Sequence, residues 1–384
     1  MSRTSELDFK ISMLGPTRVG KTSIVASMLQ GGEQLLVGTP VTMRPDDPAT
    51  ERRIALTRQA LQGALQAGEF RPGSLQSTNE PDHFKLLLDS GVEGTAIRFD
   101  LLDFPGEWLN PATRPSLRQR DWEDCLAFVK QSSVLIVPVD AAVLMEAARQ
   151  EYRRAWPAIL TTDEVRQVAG DWAAGRKAAG NEPATLLFCP VKCEFYFDDN
   201  GGRWNKSEEL LNRFRDEYGH IIDRVRGEHP GIQQLYCPVD TIGCVELIDS
   251  EWIPIQDNVA GWRFEPVFGL RPDALSGRAR LRPKGIDDVL AALCRQLLEV
   301  RQTAERLDAE EAQQESSRLW KNANRSEGLL RNMKLWITGE RKRRKVRAAQ
   351  FGREAEVMRH RVEAFDKAVE DIAKRPYGRR VRVL

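Results

Sequence analysis

The chain has 384 residues, is 41% hydrophobic and carries a formal net charge of +1, enough for a sizeable core in one large domain with an appendage. No run approaches the ~20 apolar residues of a membrane span, and no apolar leader core follows the polar N-terminus. Six cysteines without paired C-x-x-C clusters and four histidines scattered over positions 83, 220, 229 and 360 give no zinc-ligand spacing and no catalytic constellation. Reduced core thiols in a cytoplasmic protein are the expectation.

The first element in chain order is a strand over Asp8–Leu14, with apolar alternation at Phe9, Ile11 and Met13. It runs into Gly15-Pro16-Thr17-Arg18-Val19-Gly20-Lys21-Thr22, which matches G-x-x-x-x-G-K-[ST] at every required position, and Ser23–Leu29 then reads as the first turns of a helix. The order has a physical reason. Glycines let the loop aim backbone N–H groups at phosphate oxygens, and the helix N-terminus adds its dipole. Lys21 then reaches the β- and γ-phosphates while the Thr22 hydroxyl ligates Mg²⁺. Residues 15–23 are therefore candidate nucleotide contacts.

Ala49–Ala67 has Ile54, Leu56, Leu61 and Leu65 among charges and predicts an exposed helix. A turn-rich loop, Phe70–Pro81, leads to a strand over His83–Leu88. The next strand, from Ile97, ends in Asp103-Phe104-Pro105-Gly106 followed by Glu107. A carboxylate at the end of a strand beside the phosphate loop can hold Mg²⁺, and the glycine lets a backbone N–H approach the γ-phosphate. Ser133–Asp140 predicts a buried strand and Ala141–Arg154 an amphipathic helix, whereas Ala184–Val191 is a second buried strand followed by Lys192-Cys193-Glu194.

With these three motifs the chain resembles the TRAFAC class of P-loop GTPases, in particular its divergent bacterial members with a helical insertion. The resemblance covers roughly residues 7–302 and implies GTP and GDP as ligands with Mg²⁺. It places Lys192 against the guanine plane and gives Glu194 the base-reading role. Thr241, in the loop after Leu235–Asp240, would cover the base. A threonine of the Phe70–Pro81 loop would close over the γ-phosphate and bind Mg²⁺; Thr78 is the candidate, with Ser77 behind it. Three positions depart from the family pattern. Val191 stands where Asn or Thr is usual, Glu194 is one methylene longer than Asp, and Glu107 replaces the glutamine that orients the attacking water. Slow turnover follows, with a partner or dimer completing the site. Arg18 is a candidate charge-stabilising arginine in cis.

Asp198–Trp204 is a polar loop and Ser207–Val225 a helix, whereas residues 250–283 lack clear periodicity and are expected to be an irregular insertion. Pro283–Asp288 opens a closing helix with Val289, Leu290, Leu293, Leu297 and Leu298 on one face. Residues 303–384 carry 21 Lys/Arg against 13 Asp/Glu, a net +8, leaving −7 on the first 302. They predict two helices, Ala304–Ile337 and Glu340–Ala373, with Arg341–Lys345 just after the break. The expected architecture is α/β: a three-layer P-loop NTPase fold with a mostly parallel sheet, a G domain over 1–302 with insertions near 45–80 and 250–283, and a basic helical arm over 303–384. The arm can be packed on the body, dock a protein partner, or bind anionic membrane or nucleic acid. The leading functional expectation is a GTPase switch whose arm relays nucleotide state to a partner. A nucleotide-gated structural subunit and an ATPase are the alternatives.

Overall fold

The computed structural model describes residues 7–72, 80–91, 96–180, 182–200, 204–255, 261–271, 280–316 and 352–384. An eight-stranded sheet organises them, in the order β11-β8-β7-β6-β1-β5-β4-β2. Its strands are β1 (Leu7–Met13), β2 (Thr42–Pro45), β4 (Asp82–Asp89), β5 (Ile97–Asp103), β6 (Val134–Asp140), β7 (Thr185–Val191), β8 (Gln233–Tyr236) and β11 (Arg382–Val383). The five central strands, β8 to β5, run parallel, whereas β4, β2 and β11 add antiparallel edges. β6 and β7 are buried at every position, as unbroken apolar runs are when parallel strands are covered on both faces.

Side-chain alternation along the central strands sorts residues to two cores. Phe9, Ile11, Met13, Phe99, Leu101, Leu187 and Cys189 enter one hydrophobic cluster. Leu102, Leu135, Val137, Leu186 and Phe188 enter the other. The first is covered by α1 (Lys21–Leu35), the long helix Ile286–Ser316 and the helix Gly352–Ala373; the second by α3 (Gln119–Gln131), α7 (Thr162–Ala178) and α8 (Ser207–Glu228). The fold is thus α/β with a mostly parallel sheet between two helical layers. The helix α2 (Pro48–Ala67) follows β2 and is N-capped by Asp47, whose carboxylate accepts from Thr50 N at 2.7 Å.

Two local expectations are corrected. Residues 250–283 are not irregular where described: β9 (Val245–Pro254) and β10 (Trp262–Leu270) form an antiparallel hairpin, extended by β3 (Glu69–Phe70) into a second sheet. A register shift between Val267 and Phe268 breaks the alternation that would have marked β10. The expected helix Ala141–Arg154 is divided into α4 (Ala141–Glu146) and α5 (Gln150–Arg154). Arg213 Nη1 donates to the carbonyls of Leu144 and Met145 at 2.7 Å, and Trp252 Nε1 to that of Glu146 at 3.2 Å. Those side chains take acceptors that a longer helix needs. The short helix α6 (Trp156–Leu160) and α7 then fill a stretch the sequence left unread.

The closing helix is continuous from Ile286 to Ser316, so residue 303 lies inside it; we label it α9, and the helix Gly352–Ala373 α10. The described end of the chain packs into the body. Phe365, Ala368, Val369 and Ile372 of α10 belong to the same cluster as β1 and α1. Gly378 N donates to Asp288 at 2.7 Å, and Arg301 pairs with Asp366 at 2.9 Å. Arg341–Lys345 lies outside the described residues. All six cysteines are free and buried.

Candidate functional site

The parallel register places the ends of β1 and β5 side by side, with Met13 opposite Asp103, and antiparallel β4 begins at the same rim with Asp82 opposite Asp103. Loops after parallel strands open at the carboxyl edge of such a sheet, where ligands of α/β folds bind. A cavity of about 680 Å³ lies there. Its walls include residues 17–23, one face of α2, Glu80, Asp82 and Phe84, Asp103 with Gly106, residues 191–194, Thr241 with Ile242, and Val245 and Phe268 of the second sheet.

Gly20 has φ 114° and precedes the first turn of α1, a conformation that only glycine adopts cheaply. No side chain caps α1, and its first turn holds no acid. Its first amides are therefore left to an external acceptor, unlike those of α2. Lys21 is buried and folds back: its ammonium donates to the carbonyls of Gly15 at 3.0 Å and Pro16 at 3.1 Å, 4.0 Å from Asp103. Burial pulls its pKa below the usual lysine value, with Asp103 acting in the opposite sense. Thr22 Oγ1 donates to Asp103 Oδ2 at 3.0 Å. Two hard oxygens thus meet beside the loop 15–22, a donor set that would suit a Mg²⁺ ion completed by phosphate oxygens and water. Gly106 presses on the loop itself: a Cβ there would lie 2.1 Å from Thr17 N and 2.3 Å from Pro16 C.

At the other end of the cavity stands Glu194, 2% exposed. Its Oε1 accepts from the backbone N–H groups of Ile242 at 3.1 Å and Gly243 at 3.3 Å. Its Oε2 is shielded from solvent and has no hydrogen-bond partner among the described residues. Burial pushes the carboxyl up to about 7, Asp240 adds to the rise, and the backbone donors oppose it. Lys192 adopts φ 56°, uncommon for a non-glycine residue, and its ammonium pairs with Asp140, the residue that also caps α4. Val191 packs on the loop that ends at Gly20, with Cγ2 3.7 Å from a Cβ built on Gly20. The carbonyl of Thr241 accepts from Ser27 of α1 at 3.4 Å.

The sequence candidates divide accordingly. Thr17, Arg18, Val19, Gly20, Lys21, Thr22, Ser23, Asp103, Gly106, Lys192, Glu194 and Thr241 are brought around one cavity. Gly15 and Pro16 serve it indirectly, through the carbonyls that hold Lys21. Glu107 is not brought in: its side chain is exposed and outside the cavity wall, while Trp108 beside it is buried. Arg18, with φ 62°, reaches the rim and is exposed. Thr78 and Ser77 lie outside the described residues. Sequence reasoning missed Arg53, Leu56, Thr57, Ala60 and Leu61, which line the cavity from α2. Their spacing of three, one, three and one marks one helical face. The signal was present, but a face mixing Arg, Thr and Ala with leucine does not stand out as apolar periodicity. Leu56 is 52% exposed in spite of lining the cavity.

Comparison of the chain with protein-family models and with curated protein sequences finds no match.

Proposed function

We propose that this chain is a GTP-binding protein of the TRAFAC P-loop class that hydrolyses GTP to GDP and phosphate, in the cytoplasm, as a nucleotide-dependent switch. What carries the reading is one observation: the loop 17–23, Asp103 with Gly106, and Glu194 share a single cavity although about 170 residues separate the first from the last. The polyphosphate lies along the amides of residues 17–22, and Lys21 exchanges its two carbonyl acceptors for phosphate oxygens. Mg²⁺, when bound, offsets charge on the β- and γ-phosphates. Thr22 and Asp103 are the residues that hold it, with Thr78 as the loop ligand proposed on sequence grounds.

The base end supports guanine. Oε2 of Glu194 is an acceptor in want of a donor, and guanine offers N1–H and a 2-amino group where adenine presents no such pair. A buried acceptor left without a partner costs about 1–3 kcal/mol, so discrimination by this group is expected to be large. The test is affinity for GTP, GDP and ATP in wild type and in Glu194→Ala, by calorimetry with Mg²⁺. Guanine preference in the wild type and its loss in the variant are expected; equal affinity for ATP in the wild type would remove the guanine assignment.

One observation favours a second reading, a nucleotide-gated structural subunit that barely hydrolyses. The Glu107 side chain, at the family's water-orienting position, is exposed and outside the cavity wall. Multiple-turnover phosphate release separates the two: sustained release supports the switch, and bound nucleotide without release supports the structural role. In either case the relay to a partner runs through the C-terminal helices: α9 packs on α1, the helix that begins at the phosphate loop, and α10 packs on α9.

A further inference from the structure

Resting on the nucleotide reading above, we infer that Arg53 of α2 is the arginine that contacts the terminal phosphate, a role the sequence pattern offered to Arg18. Arg53 lines the cavity, on the side of Asp103, whose charge acts on it. Its guanidinium pairs with Asp82, which stands opposite Asp103 across the β4–β5 ladder, and lies 4.8 Å from the centroid of the Phe84 ring. One nitrogen, Nη1, is shielded from solvent and has no hydrogen-bond partner among the described residues. A guanidinium held on one side by a carboxylate and on its face by an aromatic ring keeps little rotamer freedom to lose. Nη1 carries two N–H groups, and a buried N–H without an acceptor carries the full cost of its lost hydration. Moved into the cavity that Arg53 lines, that nitrogen would find a phosphate oxygen as its acceptor.

The helix that carries it is fixed at the same end. Thr50 is buried and its Oγ1 accepts from Lys85 N of β4 at 3.0 Å, Asp47 caps the first turn, and Ile54 sits in the main core. Burial lowers the Arg53 pKa, against the pull of Asp103 and then Asp47, which places the group within the field of the site's carboxylates. Arg18 has no comparable support: it is exposed.

In the step itself Arg53 forms and breaks no covalent bond. Water oxygen bonds to the γ-phosphorus, and the bond from that phosphorus to the β–γ bridging oxygen breaks. GDP leaves with the electron pair, and the water proton passes to the phosphate product or to solvent. Nη1–H of Arg53 donates to a γ-phosphate oxygen and offsets the charge that spreads over those oxygens. Because GDP lacks that group, the contact distinguishes the two nucleotides and couples α2 to the nucleotide state.

The experiment compares GDP and a non-hydrolysable GTP analogue, each with Mg²⁺, on full-length wild type, Arg53→Ala and Arg53→Lys, with phosphate release from GTP alongside. Arg53→Ala is expected to keep GDP affinity within ~3-fold, weaken the analogue by ~10-fold or more, and slow release by ~100-fold or more. Arg53→Lys keeps the charge without the planar fork and should fall between them. It carries the same comparison if the alanine variant does not fold. Equal weakening of GDP and analogue would reduce Arg53 to a strut that pins α2 on β4, and unchanged binding and release would remove it from the site; either overturns the inference alone. Failure of the wild type to bind any guanine or adenine nucleotide overturns the underlying reading and this inference together.

Discussion

The two ends of the cavity are built by opposite means. At the phosphate end one short stretch, residues 15–22, supplies the turn, the amides and the lysine, and the neighbouring strand adds only Asp103 and Gly106. At the base end no stretch suffices: Glu194 comes from the turn after β7, its backbone donors from Ile242 and Gly243, and the partner of Lys192 from the end of β6. The first end rests on backbone geometry that neighbours in sequence fix among themselves. The second rests on a buried carboxylate whose surroundings come from separate loops, and it is correspondingly open to tuning.

Lys21→Ala tests the phosphate end most severely. Loss of a charge-assisted contact of about 1.5–3 kcal/mol to each of two phosphates should take nucleotide binding below calorimetric detection, whatever the base. Glu194→Ala, by contrast, should leave the phosphate end intact and lower guanine affinity by roughly 10–100-fold with ATP affinity unchanged. A uniform loss for both bases would show that Glu194 holds the 241–243 loop and does not read the base. Gly106→Ala probes the seam at the phosphate end. The added methyl group meets loop backbone at 2.1 Å, and overpacking of about 1–3 kcal/mol should appear as a lower thermal midpoint with nucleotide affinity reduced.

Acidity separates the two ends without mutation. Glu194 has its folded-state pKa raised to about 7 by burial and then Asp240. Its stability contribution is therefore fully present below the usual carboxylate range and is lost as pH rises through about 7. Guanine needs the ionised form, so the thermal shift produced by GDP should be larger at pH 8 than at pH 6, and Glu194→Ala should flatten that difference. The smallest effect is expected from Glu107→Ala. An exposed side chain outside the cavity should alter GDP affinity by less than about twofold; phosphate release measured beside it reports whether the group acts during turnover.

Legibility followed the same division. Gly15–Thr22, Asp103, Gly106, Lys192 and Glu194 could each be named from local pattern, because each stands where a strand gives way to a turn. The hairpin β9–β10 could not, since a bulge at Val267/Phe268 interrupts its alternation. Nor could the break after Glu146, which side chains from α8 and β9 impose by taking helix carbonyls. Arg53 escaped notice because its value lies in what surrounds it. On α2 it is one charge among several; beside Asp82, Phe84 and Asp103 it is a cation with a donor to spare.

From its residues alone this chain specifies the strand-to-helix turns and the alternation that puts Phe9, Ile11 and Met13 on one face of their strand. Those features depend on steric and hydrogen-bonding preferences that act over a few residues. Only the assembled molecule decides that β5 lies beside β1 and β7 two strands away, that α2 turns Arg53 and Leu56 toward the cavity, and that α10 returns to pack on α9 in the core it shares with α1. Such outcomes turn on burial and on pairing between distant segments, and the free energy of a contact exists only once both partners have been brought together.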